Sequence, residues 1–399
     1  MKFHVSILFL LLFFSCNLLF FASCSKDSDL FDFASVEQID ESEEVLDAQN
    51  KEESDGEEDS ETQSGEESVG DADSQNGEEG SEEIFDMSDD TNFESAGSNQ
   101  KYNIIFDTDA NNELDDQHAL AYLLSNGDYF NLEALTVNAT PTGGGIQNDV
   151  DEATRILQLY NLQNDITVHA GAQGTFSTIS SNFNPNSFDG IAAVDAMITS
   201  TNNTNCIIVA VGKLTNVALA ILKDPTIVNR TKVVWLGTNY PNNREYNLES
   251  DIDAMNYVLN STMPLEIVTV RLGTAENGSS SVSTTVTEVN NRMPGLGPLA
   301  TSPITGRHGG TFNRFGDYSV NLFDNIGKEL RSLFDLVALS IIKEPAWGLS
   351  NSIPAPIYQN GDWVDRPANT RTILVWGDFD VTSIREDFFE SLENYFLVQ

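Results

Sequence analysis

Beyond residue 100 the chain alternates between two hydrophobic rhythms. Continuous apolar runs at 104–107, 132–137, 166–169, 206–211, 232–236 and 265–270 read as strands. Between them, apolar residues recur at helical spacing over 116–125, 149–160, 191–200, 214–222 and 251–259, and Asp224-Pro225 closes the fourth of these. Such alternation predicts an α/β protein with a Rossmann-like, mostly parallel sheet and helices on both faces. Ligands of such sheets bind beyond the carboxyl ends of the strands. The residues standing there are polar: Asp107, Thr108 and Asp109; Asn138, Thr140 and Thr142; Gly212; Thr238 and Asn239; and Arg271. The run at 265–270 is the last clear strand, and the final residues, about 50 of them, carry no usable motif.

Upstream the rhythm is absent. Residues 5–22 are almost wholly apolar, follow Lys2, and end in Ala22-Ser23 directly before Cys24. The length could serve a membrane anchor, but the small residues favour a cleaved signal over 1–23. It resembles a bacterial lipoprotein signal, which would make Cys24 the lipidated first residue. The expected location is then the bacterial cell envelope, lipid-anchored to the outer membrane, on its periplasmic or surface face. Residues 24–100 read as an acidic disordered tether. Between 26 and 100 there are 28 acids against Lys26 and Lys51, so the segment repels itself and has little to bury. A spacer is the plain reading, and a calcium-buffering or partner-binding tail the alternative. Residues 101–399 form the folded domain, with 34 acids and 17 bases, which argues against nucleic acid as a partner. After cleavage only Cys24 and Cys206 remain, so no structural disulfide is expected, and Cys206 reads as a core residue.

Charge changes the picture most at Asp107-Thr108-Asp109 and Asp115-Asp116, where a strand gives way to a helix. Carboxylates this close repel one another unless a cation lies between them or some hold protons. All-oxygen donors suit Ca²⁺, with Mg²⁺ second. Asp107, Asp109 and Asn111 fit the first positions of an EF-hand, but Asn112 stands where that loop needs glycine and His118 where it needs glutamate. A haloacid dehalogenase-type phosphatase also has Asp-x-Asp after its first strand, and Gly377-Asp378-Phe379-Asp380 resembles its late acidic motif, yet Asp115-Asp116 has no task in that mechanism.

A third family accounts for more of the chain. Asp107-Thr108-Asp109 with Asp115-Asp116 through Ala119-Leu120 resembles the opening of the nucleoside hydrolases. Val211-Gly212-Lys213-Leu214-Thr215-Asn216 is similar to their Gly-Pro-Leu-Thr-Asn segment, Trp235-Leu236-Gly237 to a Met-Gly-Gly strand end, Glu245-Tyr246-Asn247 with Asp251 to a Glu-Phe-Asn motif, and Phe334-Asp335-Leu336-Val337-Ala338 to a late His-Asp motif. The order is kept across residues 101 to about 345. The resemblance implies a Ca²⁺-dependent hydrolase that splits ribonucleosides or related N-ribosides into free base and ribose, in purine or pyrimidine nucleoside catabolism. It implies that Asp109, Asp116, Asp335 and the Val211 carbonyl hold the ion, with Asp107 in support. Asp115 would take ribose hydroxyls, Asn138, Asn239, Glu245 and Asn247 would bind substrate, and Asp109 would accept a proton from water.

Four departures qualify it. The turn 110–114 is two residues longer than the family's, its Pro-Gly is replaced, Val137-Asn138 replaces Gly-Asn, and Phe334 stands where a histidine is common. His308, in a glycine-rich loop, is the candidate catalytic substitute. His118 is placed to hydrogen-bond one of the acids, His169 reads as structural, and Thr215 and Asn216 as caps of their own helix. The alternative reading is a non-catalytic or altered-specificity lipoprotein that binds a sugar or ribosyl ligand through the metal. Expected partners are a nucleoside or riboside, membrane lipid and a second copy in a homo-oligomer.

Overall fold

Strand β1 (Tyr102–Thr108) sends alternate side chains to opposite sides of a central sheet: Ile104 and Phe106 into one apolar core, Ile105 into another. These cores lie on the two faces, so the inner strands bury apolar side chains on both sides. The computed structural model describes residues 101–202, 204–272, 274 and 277–398. The signal, Cys24 and tether readings lie outside them.

Chain order runs α1 (Asp115–Ser125), β2 (Phe130–Val137), α2 (Ile146–Leu159), β3 (Val168–Ala170), α3 (Phe176–Ser180), α4 (Ile191–Ser200), β4 (Cys206–Ala210), α5 (Thr215–Lys223), β5 (Thr231–Leu236), α6 (Tyr246–Ser250), α7 (Ile252–Asn260) and β6 (Leu265–Val268). The expected elements are present, with ends displaced by a residue or a few. β6 is not the last strand of the sheet. Residues Thr372–Gly377 pair parallel with β6, and Leu349–Pro354 close that edge antiparallel to them. Their pairings are long-range, and the outer strand is largely exposed, which hides the apolar alternation that marks a strand. The full order is 349–354, 372–377, β6, β5, β4, β1, β2, β3. Gly377-Asp378-Phe379-Asp380 is a helix entry, in which Asp380 accepts from Ser383 N at 3.0 Å.

Strand order reverses between β1 and β4, and a crevice forms where the chains leaving these strands part to opposite sides. Helix α1 runs back from it with all eleven residues buried, and its acidic first turn is left at the crevice. Those two aspartates face the positive end of the helix dipole.

Candidate active site

Asp107 ends β1 and is fully enclosed. Its Oδ1 accepts from Thr136 Oγ1 at 2.7 Å and Asn216 Nδ2 at 2.8 Å, and its Oδ2 from Asn138 Nδ2 at 3.2 Å. Burial lifts its pKa to about 6 against the pull of those donors. Asn216 also donates to the Val137 carbonyl and accepts from Ala172 N. It thus joins three strand ends rather than capping its own helix, while Thr215 Oγ1 donates to Asp251.

Two residues on, Asp109 accepts from Thr140 Oγ1 at 2.7 Å. Burial first, and Asp116 second, hold its carboxyl well above the usual range. Asp116 accepts from Thr108 Oγ1 at 2.5 Å. Asp335 arrives from the entry of helix Leu336–Lys343 and makes no side-chain cap there, which leaves its carboxylate for the crevice. Oxygens of Asp115, Asp116 and Asp335 come within 4.8 Å of one another, all three residues buried. Asp335 and Asp116 are pushed far up by burial and then by their acidic neighbours.

The loop after β4 completes the wall. The Val211 carbonyl faces Asn247 Nδ2, which donates to it at 2.9 Å and to the Leu236 carbonyl at 3.1 Å. Trp235 Nε1 supports the Gly212 carbonyl from below at 3.0 Å. A side chain at Gly212 would sit 2.8 Å from Asp109 Oδ1 and 2.9 Å from Asn138 Oδ1, so only glycine lets this loop close on the acids. Gly212→Ala is therefore expected to displace Asp109 and cut turnover by about 100-fold, with a far smaller change in melting temperature. Steady-state rates beside thermal melts check this, and near-wild-type turnover would count against the close fit.

The remaining expected residues are placed as follows. Glu245 accepts from three backbone amides, Thr238 N, Asn247 N and Leu248 N, at 2.8 to 3.0 Å, and so caps α6. Asn239 bridges the Arg244 carbonyl and Leu272 N. His118 turns away from the acids. Its Nδ1 meets the Leu114 carbonyl and its Nε2 meets Ser319 Oγ, and burial lowers its pKa to about 4. His308 is exposed at a loop tip, while its neighbour Arg307 lies half-buried with Asp116 and Asp149 as charge partners.

Sequence reasoning passes over several groups. Asp149, at the start of α2, is buried, accepts from Asn111 N at 2.9 Å through Oδ1, and leaves Oδ2 without a partner among the described residues. Burial raises its pKa to about 7. Arg331 ion-pairs with Glu113 and reaches Asp115 at 3.5 Å, with its guanidinium over the Phe334 ring. Lys213 is buried against the Gly174 carbonyl at 2.7 Å. Acids and bases on separate elements give no local pattern; a carboxylate in the first turn of α2 is the one available signal.

The donor set is all oxygen, buried, and gathered on three carboxylates, and the enclosed Asn138 Oδ1 nearby also lacks a partner among the described residues. Both facts fit a hard divalent cation. Fold and site thus define an α/β protein with an acidic, cation-compatible centre at the switch point of its sheet. The chain belongs to the inosine-uridine preferring nucleoside hydrolase family, whose model matches residues 104–346, and so is a hydrolase of N-glycosyl compounds. Comparison with curated proteins gives no match. Among solved structures, a plant nucleoside hydrolase aligns at 17% identity and TM-score 0.57 over 74% of this chain and 99% of its own. An inosine-guanosine nucleoside hydrolase gives 17% and 0.56, covering 74% and 100%. An inosine-uridine preferring nucleoside hydrolase from Bacillus anthracis gives 14% and 0.54, covering 73% and 99%. At these identities the likeness is one of fold.

Proposed function

We propose that the protein is a Ca²⁺-dependent nucleoside hydrolase that releases free base and ribose from ribonucleosides or related N-ribosides. The convergence of Asp115, Asp116 and Asp335 in the crevice, with Asp109 beside them, carries this reading. By the family resemblance Asp116, Asp335 and Asp109 would hold the cation, with the Val211 carbonyl once Asn247 yields it, while the carboxylates brought together here are those of Asp116, Asp335 and Asp115. When bound, the cation supplies positive charge that acidifies water and grips sugar hydroxyls.

Asp109 suits proton acceptance. Thr140 fixes one of its oxygens, and burial makes its carboxylate more basic than an exposed one. Asp107, spent on three donors, holds Asn138 and Asn216 in place instead. Asp115 is held by Arg331, and by the resemblance it would take ribose hydroxyls. As the glycosidic bond lengthens the sugar becomes cationic, and the fixed acids stabilise it. Glu245 and Asn239 act by shaping the loop after β5. The amino-terminal signal and acidic tether support a lipid-anchored envelope location.

Incubating purified protein and Ca²⁺ with inosine, uridine, adenosine and cytidine should release base and ribose. EDTA should cut the rate by about 100-fold or more, and added Ca²⁺ should restore it. The involvement of Asn247 with the Val211 carbonyl favours a second reading, sugar binding without turnover. Ribose binding with no base released from any nucleoside would select it.

A further inference from the structure

The carboxylates of the crevice serve the sugar, which turns positive as the bond breaks. The other product turns negative, and none of those acids can help it. One group nearby has the opposite charge and donors to spare.

Arg307 lies at the tip of a small hairpin made by Ile304–Thr305 and Thr311–Phe312. The tip is tight. Gly309 and Gly310 have φ of +81° and +82°, and a side chain at Gly306 would meet Phe312, Tyr318 and the Gly309 carbonyl within 3 Å. This reversal turns Arg307 inward and leaves His308 exposed. The tip is also tied down. Arg307 N donates to Tyr318 Oη at 3.3 Å, and Tyr318 Oη donates to Glu152 Oε1 at 2.7 Å. Gln117 Nε2 donates to the same Glu152 oxygen and to the Ala110 carbonyl in the acidic turn. Arg155 Nε holds the Thr305 carbonyl at 2.8 Å. The hairpin is thereby linked by hydrogen bonds to the turn that carries the acids.

The charges of Tyr318, Asp116 and Asp149 act on the half-buried guanidinium, yet among the described residues it makes no hydrogen bond or ion pair. Arg331, the other arginine of the site, is already engaged by Glu113 and Asp115. A half-buried guanidinium on a tied-down hairpin, with its N–H groups unspent, keeps donors available to a ligand.

We propose that Arg307 meets the leaving base and stabilises it as it departs. This rests on the hydrolase reading above. The C1′–N bond breaks and both its electrons stay on the base nitrogen. The oxygen of water bonds to C1′, and its proton passes to Asp109. Arg307 keeps its own protons and donates hydrogen bonds to the ring nitrogen or carbonyl oxygen where negative charge collects, and solvent later protonates the base. A donor that does not give up its proton favours bases with ring carbonyls, which spread that charge, over aminopurines, which leave best when protonated.

The test compares two leaving groups on the full chain with Ca²⁺: uridine, and a nitrophenyl riboside whose nitrophenolate departs unaided. Arg307→Gln is expected to lose about 100-fold in kcat on uridine, with KM within about 3-fold, and less than about 3-fold on the nitrophenyl riboside. Arg307→Lys, which keeps charge but loses the fork, should fall between. An unchanged Ca²⁺-induced rise in melting temperature shows that the acid centre is intact in both variants. Equal losses on the two substrates, or none on either, would overturn the assignment of Arg307 alone. A wild-type protein inert on both would overturn the hydrolase reading and this inference with it.

Discussion

Asp335→Asn is expected to lower kcat/KM by about 1,000-fold while leaving the cation-free protein as stable as the wild type, or more so. The two halves of this result have one cause. Asp335 enters the crevice with no cap to make, and its neighbours Asp115, Asp116 and Asp109 all oppose its charge. Without a cation, the asparagine removes repulsion and keeps the volume, so folding loses nothing. With one, it removes a ligand. Wild-type protein at a Ca²⁺ concentration about 100 times Kd gains about 2.7 kcal/mol, and the variant should gain only a small part of that. Paired melts in EDTA and Ca²⁺, run beside the kinetics, measure both. A variant with the full Ca²⁺ effect would take Asp335 out of the ligand set.

The second large effect is a reversal of pH dependence. In EDTA, stability should fall as pH rises from about 4 to about 7. Asp107, at about 6, and Asp149, at about 7, both stand above the ordinary 3.8, and burial is the main cause in each. Across that window the folded state holds protons that the unfolded chain has released. The stabilisation is complete below the unfolded value and is lost as pH passes the folded one. Each tenfold gain in a carboxyl's proton affinity on folding is worth about 1.4 kcal/mol. The acids of the trio are raised in the same direction. Ca²⁺ binds carboxylates without protons, so its contribution grows over the same range. Melting curves with and without Ca²⁺ should separate progressively from about pH 5 to pH 8. Cation-free stability that rises through this window would mean the acids are not buried as described.

What can be read from the sequence follows from range. β1, its two aspartates and Asp115-Asp116 are neighbours along the chain, so period and charge reveal them together. Asp335 comes into view only through a family motif, because nothing local distinguishes it from a capping residue. Arg307, Arg331 and Asp149 come from hairpin, strand and helix that packing alone brings to the crevice. Glu245 and Asn239 show the converse: their residue types suggest sugar contacts, but a left-handed residue at Thr238 and a short helix after it leave backbone amides that Glu245 accepts from and an Arg244 carbonyl that Asn239 donates to. His118 stands beside the acids in sequence, but its helix turns it into an aromatic pocket of Phe315, Phe323 and Phe388. The sheet's last two strands escape a local reading because their partners lie about 100 and 25 residues away.

The turn between Asp109 and Asp115 reads from the sequence resemblance as longer than the usual nucleoside hydrolase pattern, and extra length normally brings freedom. Here each residue is held. Ala110 is bound through its carbonyl by Gln117, Asn111 by Asp149 and the Gly143 carbonyl, Asn112 by Thr142 and the Asp109 carbonyl, and Glu113 by Arg331, while Leu114 is buried in the core. The ordering entropy of the insertion is therefore spent when the chain folds, not when a ligand arrives. A longer loop built this way can lengthen the path between two acids without loosening either of them.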